Sequence, residues 1–415
     1  MVYTAAPALL HSGGYAESRP RFRACLGHKI AAAAIGLSTP FQLQWLGILY
    51  ASEILLAMVA VWALITHVAD GDFWRRPVIT LLGFLGVSVL AYVVTDLTLG
   101  TESQNLLRGW ARNAFLGSNF VGLYFVCRRN LENVLRYAIA TATGMLAFFW
   151  LSGQGIEDWK FGAATPVTLL VAGLVPLVPR RGLWLGPLAL AAVGLLHLAL
   201  DSREIGGSCL LAGVLLLARG SQMRLRMLSR AMLGVVALAG FGAFLYLGVL
   251  TGGEYDQRRH LSNAWRTASI ITAASAISDS PWLGNGSQAN TFELQSRYDS
   301  IFTERSGVRY RGLPTDTSTF SPHSQILQAW FEAGIFGAAF FVYLGWKLVR
   351  AARWCIFRRR IDVFSVLFAY CLLRALWHLA FSPFAGLARL DVALAAVIVV
   401  LLDLERRKLR SNTKA

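Results

Sequence analysis

The chain has 415 residues, 55% of them hydrophobic and only 15% charged, with a mean hydropathy of +0.51. A soluble domain carries nearer a quarter charged residues, so an ordinary water-soluble enzyme is excluded. The net charge of +16 is split into short basic clusters between apolar runs, which excludes a nucleic-acid-binding face; such clusters mark the cytoplasmic ends of membrane helices.

Residues 1–28 contain Arg19, Arg21 and Arg23 and lack the apolar core and cleavage site of a signal peptide, so they are expected to form a cytoplasmic tail. Apolar runs long enough to cross a hydrocarbon core follow. Arg75-Arg76, Arg128-Arg129, Arg180-Arg181 and the basic stretches 219–230, 347–360 and 406–414 are placed on the inner side. About twelve spans result. They are expected at 29–43, 44–67, 77–97, 109–127, 134–152, 164–179, 183–200, 206–219, 230–250, 323–347, 362–381 and 389–404. The first is short and contains Pro40, which leaves a re-entrant segment or two half-helices open. Nine spans thus fall within 29–250 and three within 323–404, with residues 405–415 as a second cytoplasmic tail. The expectation is an all-α polytopic membrane protein. Cys25, Cys127, Cys209, Cys355 and Cys371 form no CxxC pair, so neither a disulfide framework nor a metal site is expected. No pair of matching interrupted helices, the mark of many secondary transporters, is visible.

One connection differs from the rest. Residues 251–322 form a long loop on the outer face, and loops of that length are functional or disordered. This one is rich in aromatics: Trp265, Trp282, Phe292, Tyr298, Tyr310 and Phe320. Within 262–278, Trp265, Ala268, Thr272 and Ala276 recur at helical spacing beside a second stripe of Ile270, Ala274 and Ile277. Asp279-Ser280-Pro281 ends that helix, and Gly284 and Gly286 mark a tight turn. A surface helix followed by a structured cap is expected.

The loop ends in Ser321-Pro322-His323-Ser324-Gln325, leading into a membrane helix. Ser321 is suited to the N-cap and Pro322 to the first helical position, which puts His323 in the first turn. The positive helix end disfavours imidazolium there. A neutral imidazole at the membrane surface can take a proton from a hydroxyl; spacing alone favours the plainer role of an interfacial polar anchor. Ser202-Arg203-Glu204 occupies a very short outer turn, where the planar fork of Arg203 can grip a phosphate or simply pair with Asp201 or Glu204. The loop carries Arg258, Arg259, Arg266, Arg297, Arg305, Arg309 and Arg311, which either balance Glu254, Asp256, Asp279, Glu293, Asp299, Glu304 and Asp316 as a solvated surface or, as the absence of lysine mildly favours, recognise phosphate or carboxylate groups. Glu53, Arg374, His378 and Asp391 lie inside spans, where ionisable groups are costly. A structural role suits Glu53; Arg374 and Asp391 are either an ion pair or a substrate contact.

The turn Pro281-Trp282-Leu283-Gly284-Asn285-Gly286, followed after about 35 residues by a histidine-led helix with His323, Leu327, Glu332 and Gly334, resembles the signature of the O-antigen ligase and O-antigen polymerase superfamily. The Ser202-Arg203 turn resembles the serine-arginine pair such proteins place between two earlier helices. The resemblance covers roughly 200–345 in detail and the whole chain in topology. It implies a GT-C-like, metal-independent membrane glycosyltransferase with about twelve transmembrane helices, one large periplasmic loop and no cofactor. The donor would be a glycan on undecaprenyl diphosphate and the acceptor lipid A–core, at the periplasmic face of a bacterial inner membrane, with membrane lipids as surroundings and the protein a monomer. His323 would be the general base, Arg203 and a loop arginine would neutralise the departing diphosphate, and Gln328 and Glu332 would support the histidine helix. Attack opposite the leaving group would invert the anomeric centre. The chain departs from the family where an arginine usually stands four residues before the loop tryptophan: Leu261 is there, and Arg259 and Arg266 are the nearest substitutes. His323 is also followed by serine, where asparagine is frequent.

Ligase and polymerase share these residues; the sizeable loop and compact chain favour the ligase. A lipid-linked glycan flippase would line a path through the bilayer with charge, whereas the charge not used for orientation gathers here at one face.

Overall fold

The structure, a computed structural model, describes residues 26–44, 47–67, 69–71, 73–153, 159–160, 162–177, 179, 182–218, 254–308, 320–357, 362–383 and 386–412. The expected span 230–250, most of the expected N-terminal tail, Cys25, Arg309 and Arg311, and the side chains of Arg258 and Arg259 lie outside these residues.

Described in chain order, the helices are α1 (Leu26–Leu37), α2 (Ala51–His67), α3 (Arg76–Leu99), α4 (Ser103–Cys127), α5 (Glu132–Ser152), α6 (Ala164–Leu174), α7 (Leu185–Ala199), α8 (Arg203–Leu217), α9 (Glu254–Asp279), α10 (Phe292–Ser306), α11 (Gln325–Phe357), α12 (Ser365–Phe381) and α13 (Ala388–Asn412). Among the described residues, three stretches are long and apolar enough to cross a membrane: Arg76–Leu99, Glu132–Ser152 and Gln325–Ile356. Shorter apolar helices include α1, α2, α7 and α12. Among the described residues the fold is all-α, as expected, apart from one small hairpin.

That hairpin corrects the sequence reading of the first two spans. α1 stops at Leu37, before Pro40, and β1 (Gln42–Gln44) pairs antiparallel with β2 (Ile48–Tyr50), Gln42 opposite Tyr50. The second span starts at Ala51 rather than at residue 44. Proline lacks the amide and carries a ring that collides with the preceding turn, so the apolar run could not continue as one helix. At α6 the helix gives way after Leu174 to a single 3₁₀ turn, Val175–Leu177.

Neighbouring helices pack as antiparallel pairs, α7 on α8 and α11 on α12, while α3 lies along α11 and α13 on α4. The core joins Leu56, Leu116, Tyr124, Leu190, Leu216, Phe341, Tyr370 and the long apolar face of α13 from Val392 to Leu402. α9 and α10 form the cap. Ala264 and Ala268 of α9 pack against Tyr298 and Phe302 of α10, and Ala276 and Ile277 meet Leu294 and, on α11, Phe331. α9 ends at Asp279 as expected but begins eight residues before the stretch read from its apolar spacing, because its first turns carry almost no apolar residues. α10 was not read as a helix at all; Thr291 caps it by accepting the Leu294 amide at 3.3 Å.

α11 is broken, and the break positions the site. Ala333 (φ −134°) and Gly334 (φ 65°, ψ −170°) interrupt the helix. Its C-terminal end meets the start of α12, Cys355 Sγ lying 3.7 Å from the Ser365 carbonyl. Its N-terminal end meets the far end of α12, where Ser324 Oγ donates to the Leu379 carbonyl at 3.1 Å. A straight helix from Ser324 to Cys355 would measure about 46 Å, whereas α12 rises only about 21 Å from Ser365 to Leu379. The break at Gly334 lets the first turns of α11 change direction, so that Ser324 reaches Leu379. The residue that allows it is glycine because this φ/ψ combination is essentially closed to residues with a Cβ.

Candidate functional site

The turn 281–286 is fastened to the broken helix by the backbone. Asn285 N donates to Phe331 O at 2.8 Å, Gly286 N to Glu332 O at 2.9 Å, and Ile335 N to Pro281 O at 3.0 Å. A Cβ on Gly334 would strike the Trp282 carbonyl, and one on Gly284 (φ 83°) would strike the backbone of Glu332 to Gly334. These are the glycines that the spacing of the motif singled out, and close backbone approach is their physical reason. The turn is also tied to α3: Thr95 Oγ1 donates to Leu283 O at 2.6 Å, and Asp96 accepts from both the Ser287 amide and hydroxyl at 2.7 Å. Trp110 of α4 donates to the same carboxylate at 2.8 Å.

Glu332 sits under this turn, fully buried. Arg112 of α4 pairs with it, and the Tyr92 hydroxyl of α3 donates to it at 2.7 Å. Gln328 Nε2 and the Gln288 amide donate to its other oxygen, each at 3.3 Å. The two residues expected to support the histidine helix therefore touch each other and join α11 to α3, α4 and the cap. Neither Arg112 nor Tyr92 was found by sequence reasoning. Arg112 sits inside an apolar stretch of α4 without a carboxylate at helical spacing, so nothing local announced its partner.

His323 lies outside the helix, which corrects the expected geometry. Ser324, not Ser321, is the capping residue: its hydroxyl accepts the Leu327 amide at 3.3 Å and its carbonyl the Gln328 amide at 2.8 Å. His323 is thus one residue before the cap rather than in the first turn. It is partly buried. Burial first, and the Arg266 guanidinium second, hold its imidazole below the ordinary histidine value. The direction agrees with the sequence argument, but desolvation and a neighbouring cation produce it. Arg266 is therefore brought within electrostatic reach of His323, while its own side chain is exposed on α9.

Arg203 is the first residue of α8, with Ser202 before it and Asp201 in the left-handed region at φ 56°. The connection is Leu200, Asp201 and Ser202, so Arg203 and Glu204 belong to the helix and not to the connection. The Ser202 amide donates to the His197 carbonyl at 2.8 Å, and the buried His197 ring is held by Trp159 at 2.9 Å and Thr168 at 2.8 Å. Arg203 Nε approaches Asp201 at 3.3 Å, while its Nη2 is buried with no hydrogen-bond partner among the described residues. A guanidinium with one edge placed and the other unoccupied is a grip for an anion.

The ionisable residues expected inside spans fall into two clusters. Glu53 is fully buried and saturated by Arg389 at 2.7 and 2.8 Å, Asn119 at 3.0 Å and the Tyr50 amide at 3.1 Å, a structural lock between α2, α4 and α13. Arg374 donates to Asp391 at 2.9 Å and to the Tyr370 hydroxyl at 2.6 Å, and His378 lies between Asp391 (3.1 Å) and Glu204 (3.3 Å). His378 precedes Leu379, the residue that holds Ser324. The Arg203 turn, the end of α12 and the His323 segment thus meet at one end of the bundle. Of the loop arginines, Arg297 is occupied by Ser275, Asp279 and Glu293 and joins α10 to α9.

A family model described as O-Antigen ligase matches residues 188–342, from α7 through the cap and past the break in α11. No curated protein matches the chain. The matched segment contains Arg203, Arg266, His323 and the fastened turn. With helices apolar enough to cross a membrane and this match, the chain is a multi-pass membrane protein whose residues 188–342 are similar to the O-antigen ligase family.

Proposed function

We propose that the chain is an O-antigen ligase, a glycosyltransferase that moves a glycan from undecaprenyl diphosphate to lipid A–core at the periplasmic face of the inner membrane. The reading rests on the family match. The observation that carries the chemistry is the pairing of a partly buried imidazole whose proton affinity is lowered beside Arg266 with the unoccupied buried edge of Arg203. His323 takes the proton of the acceptor hydroxyl, whose oxygen forms the new bond to the anomeric carbon. The bond from that carbon to the diphosphate breaks, and its electron pair leaves with the diphosphate oxygen, so the centre inverts. Arg203, and Arg266 from the cap, stabilise that developing charge. A cation beside the base has a second effect: it keeps the imidazole neutral and able to accept a proton. Arg259, the other substitute for the arginine replaced by Leu261, lies on the first part of α9.

The test is transfer by purified full-length protein from a defined undecaprenyl-diphosphate-linked glycan, offered lipid A–core in one arm and a second lipid-linked repeat in the other. Product on lipid A–core alone supports the ligase. Product on the lipid-linked repeat alone identifies a polymerase, and movement of donor across liposomes without a new glycosidic bond a flippase.

A further inference from the structure

We infer that His378 is a positioning residue of this site, acting through Glu204 on the placement of Arg203; the inference rests on the reading above, in which Arg203 grips the donor diphosphate. His378 is 5% exposed and has a carboxylate opposite each ring nitrogen. Nδ1 lies 3.3 Å from Glu204 Oε1, close but without an aligned hydrogen bond, and Nε2 lies 3.1 Å from Asp391 Oδ2 and accepts from Arg374 Nε at 3.2 Å. The two carboxylates differ in what else holds them. Asp391 already has Arg374 at 2.9 Å, one helical turn below His378, and Arg374 is in turn fixed by Tyr370. Asp391 and Arg374 therefore form a rigid base on α13 and α12, and the imidazole is the link from that base to α8.

What the link holds is the head of α8. Glu204 is the residue after Arg203, and both lie in the first turn. The connection before them is only Leu200, Asp201 and Ser202, with Asp201 in a conformation that non-glycine residues seldom adopt. Arg203 leans on Asp201 at 3.3 Å through Nε alone, a partly exposed contact too weak to fix a long side chain. Because helix residues move as a unit, anchoring Glu204 to α12 fixes the origin from which the Arg203 fork extends. The same end of α12 holds the histidine segment through Leu379 and Ser324. His378 thus ties the phosphate-gripping helix to the element that seats the base.

Full-length protein carrying His378→Gln, Glu204→Gln or both is assayed with the undecaprenyl-diphosphate-linked glycan and lipid A–core, with thermal unfolding midpoints measured in parallel. Each single variant is expected to raise the donor KM about tenfold while kcat changes little, because a misplaced grip costs binding before chemistry. The double variant is expected to be no worse than the worse single one, since both remove the same contact. His378→Asn and His378→Ala are expected to behave like the glutamine variant. An unchanged donor KM in Glu204→Gln, multiplying effects in the double variant, or a loss of activity that follows only a lowered midpoint overturns the inference; where His378→Gln does not fold, the donor KM of Glu204→Gln alone decides. Transfer that persists in both His323→Ala and Arg203→Lys would instead remove the functional reading on which this one rests.

Discussion

Arg112 on α4 and Glu332 on α11 form a buried ion pair directly beneath the glycine turn that precedes the histidine segment. The pair joins elements far apart in sequence, and Tyr92, Gln328 and the Gln288 amide complete the carboxylate's hydrogen bonds. Its consequence is mechanical: it fixes the N-terminal arm of α11, and with it the residues just before that arm.

Glu332→Ala is expected to destabilise the protein by about 3–5 kcal/mol, since it strands a buried cation. Replacing both partners by methionine should recover most of that loss, because an apolar pair of similar volume leaves no buried charge. Thermal unfolding in one detergent checks both. A single variant as stable as the parent would show that the pair does not hold the arm.

Gly334→Ala is expected to cost about 1–3 kcal/mol from backbone conformation alone, with the collision against the Trp282 carbonyl in addition. Transfer should fall with it, because the arm can no longer change direction at the break. Alanine at Gly207, where an added Cβ meets nothing, is the matched control.

Much of this was legible in the sequence, and the parts that were not share a cause. Spacing located the glycine turn, the cap helix that ends at Asp279, and Arg203 and His323, because each is marked by a local pattern. The hairpin after α1 was missed because the apolar run continues through it, although Pro40 stood as a warning. The capping of α11 was misread by three residues: both Ser321 and Ser324 can cap, and only the contact with Leu379 selects the second. Arg112, Tyr92 and the Glu204–His378 approach depend on which helices become neighbours, which no local pattern records.

Arg203→Lys is expected to lower transfer by at least about tenfold, since an ammonium cannot reproduce the two-pronged grip of a guanidinium and a lost charge-stabilising donor can cost considerably more. Steady-state kinetics against donor concentration test it. Parent-like turnover would remove Arg203 from the diphosphate site.

The pH dependence has a definite sign. His323 must be neutral to accept a proton, so activity should fall as pH drops through its pKa, which burial and Arg266 hold below the ordinary histidine value. Arg266→Gln removes the cation that disfavours imidazolium, so the histidine pKa rises and the acidic limb of kcat/KM moves to higher pH. A limb that stays in place would show that Arg266 does not act on His323.

The most direct measurement is glycan transfer by His323→Ala protein, with undecaprenyl-diphosphate-linked donor and lipid A–core acceptor, at matched inserted and folded protein. Loss of transfer is expected with an unfolding midpoint close to that of the parent, because His323 precedes the cap that Ser324 provides and is not part of the helix. Transfer at the parent rate would contradict it.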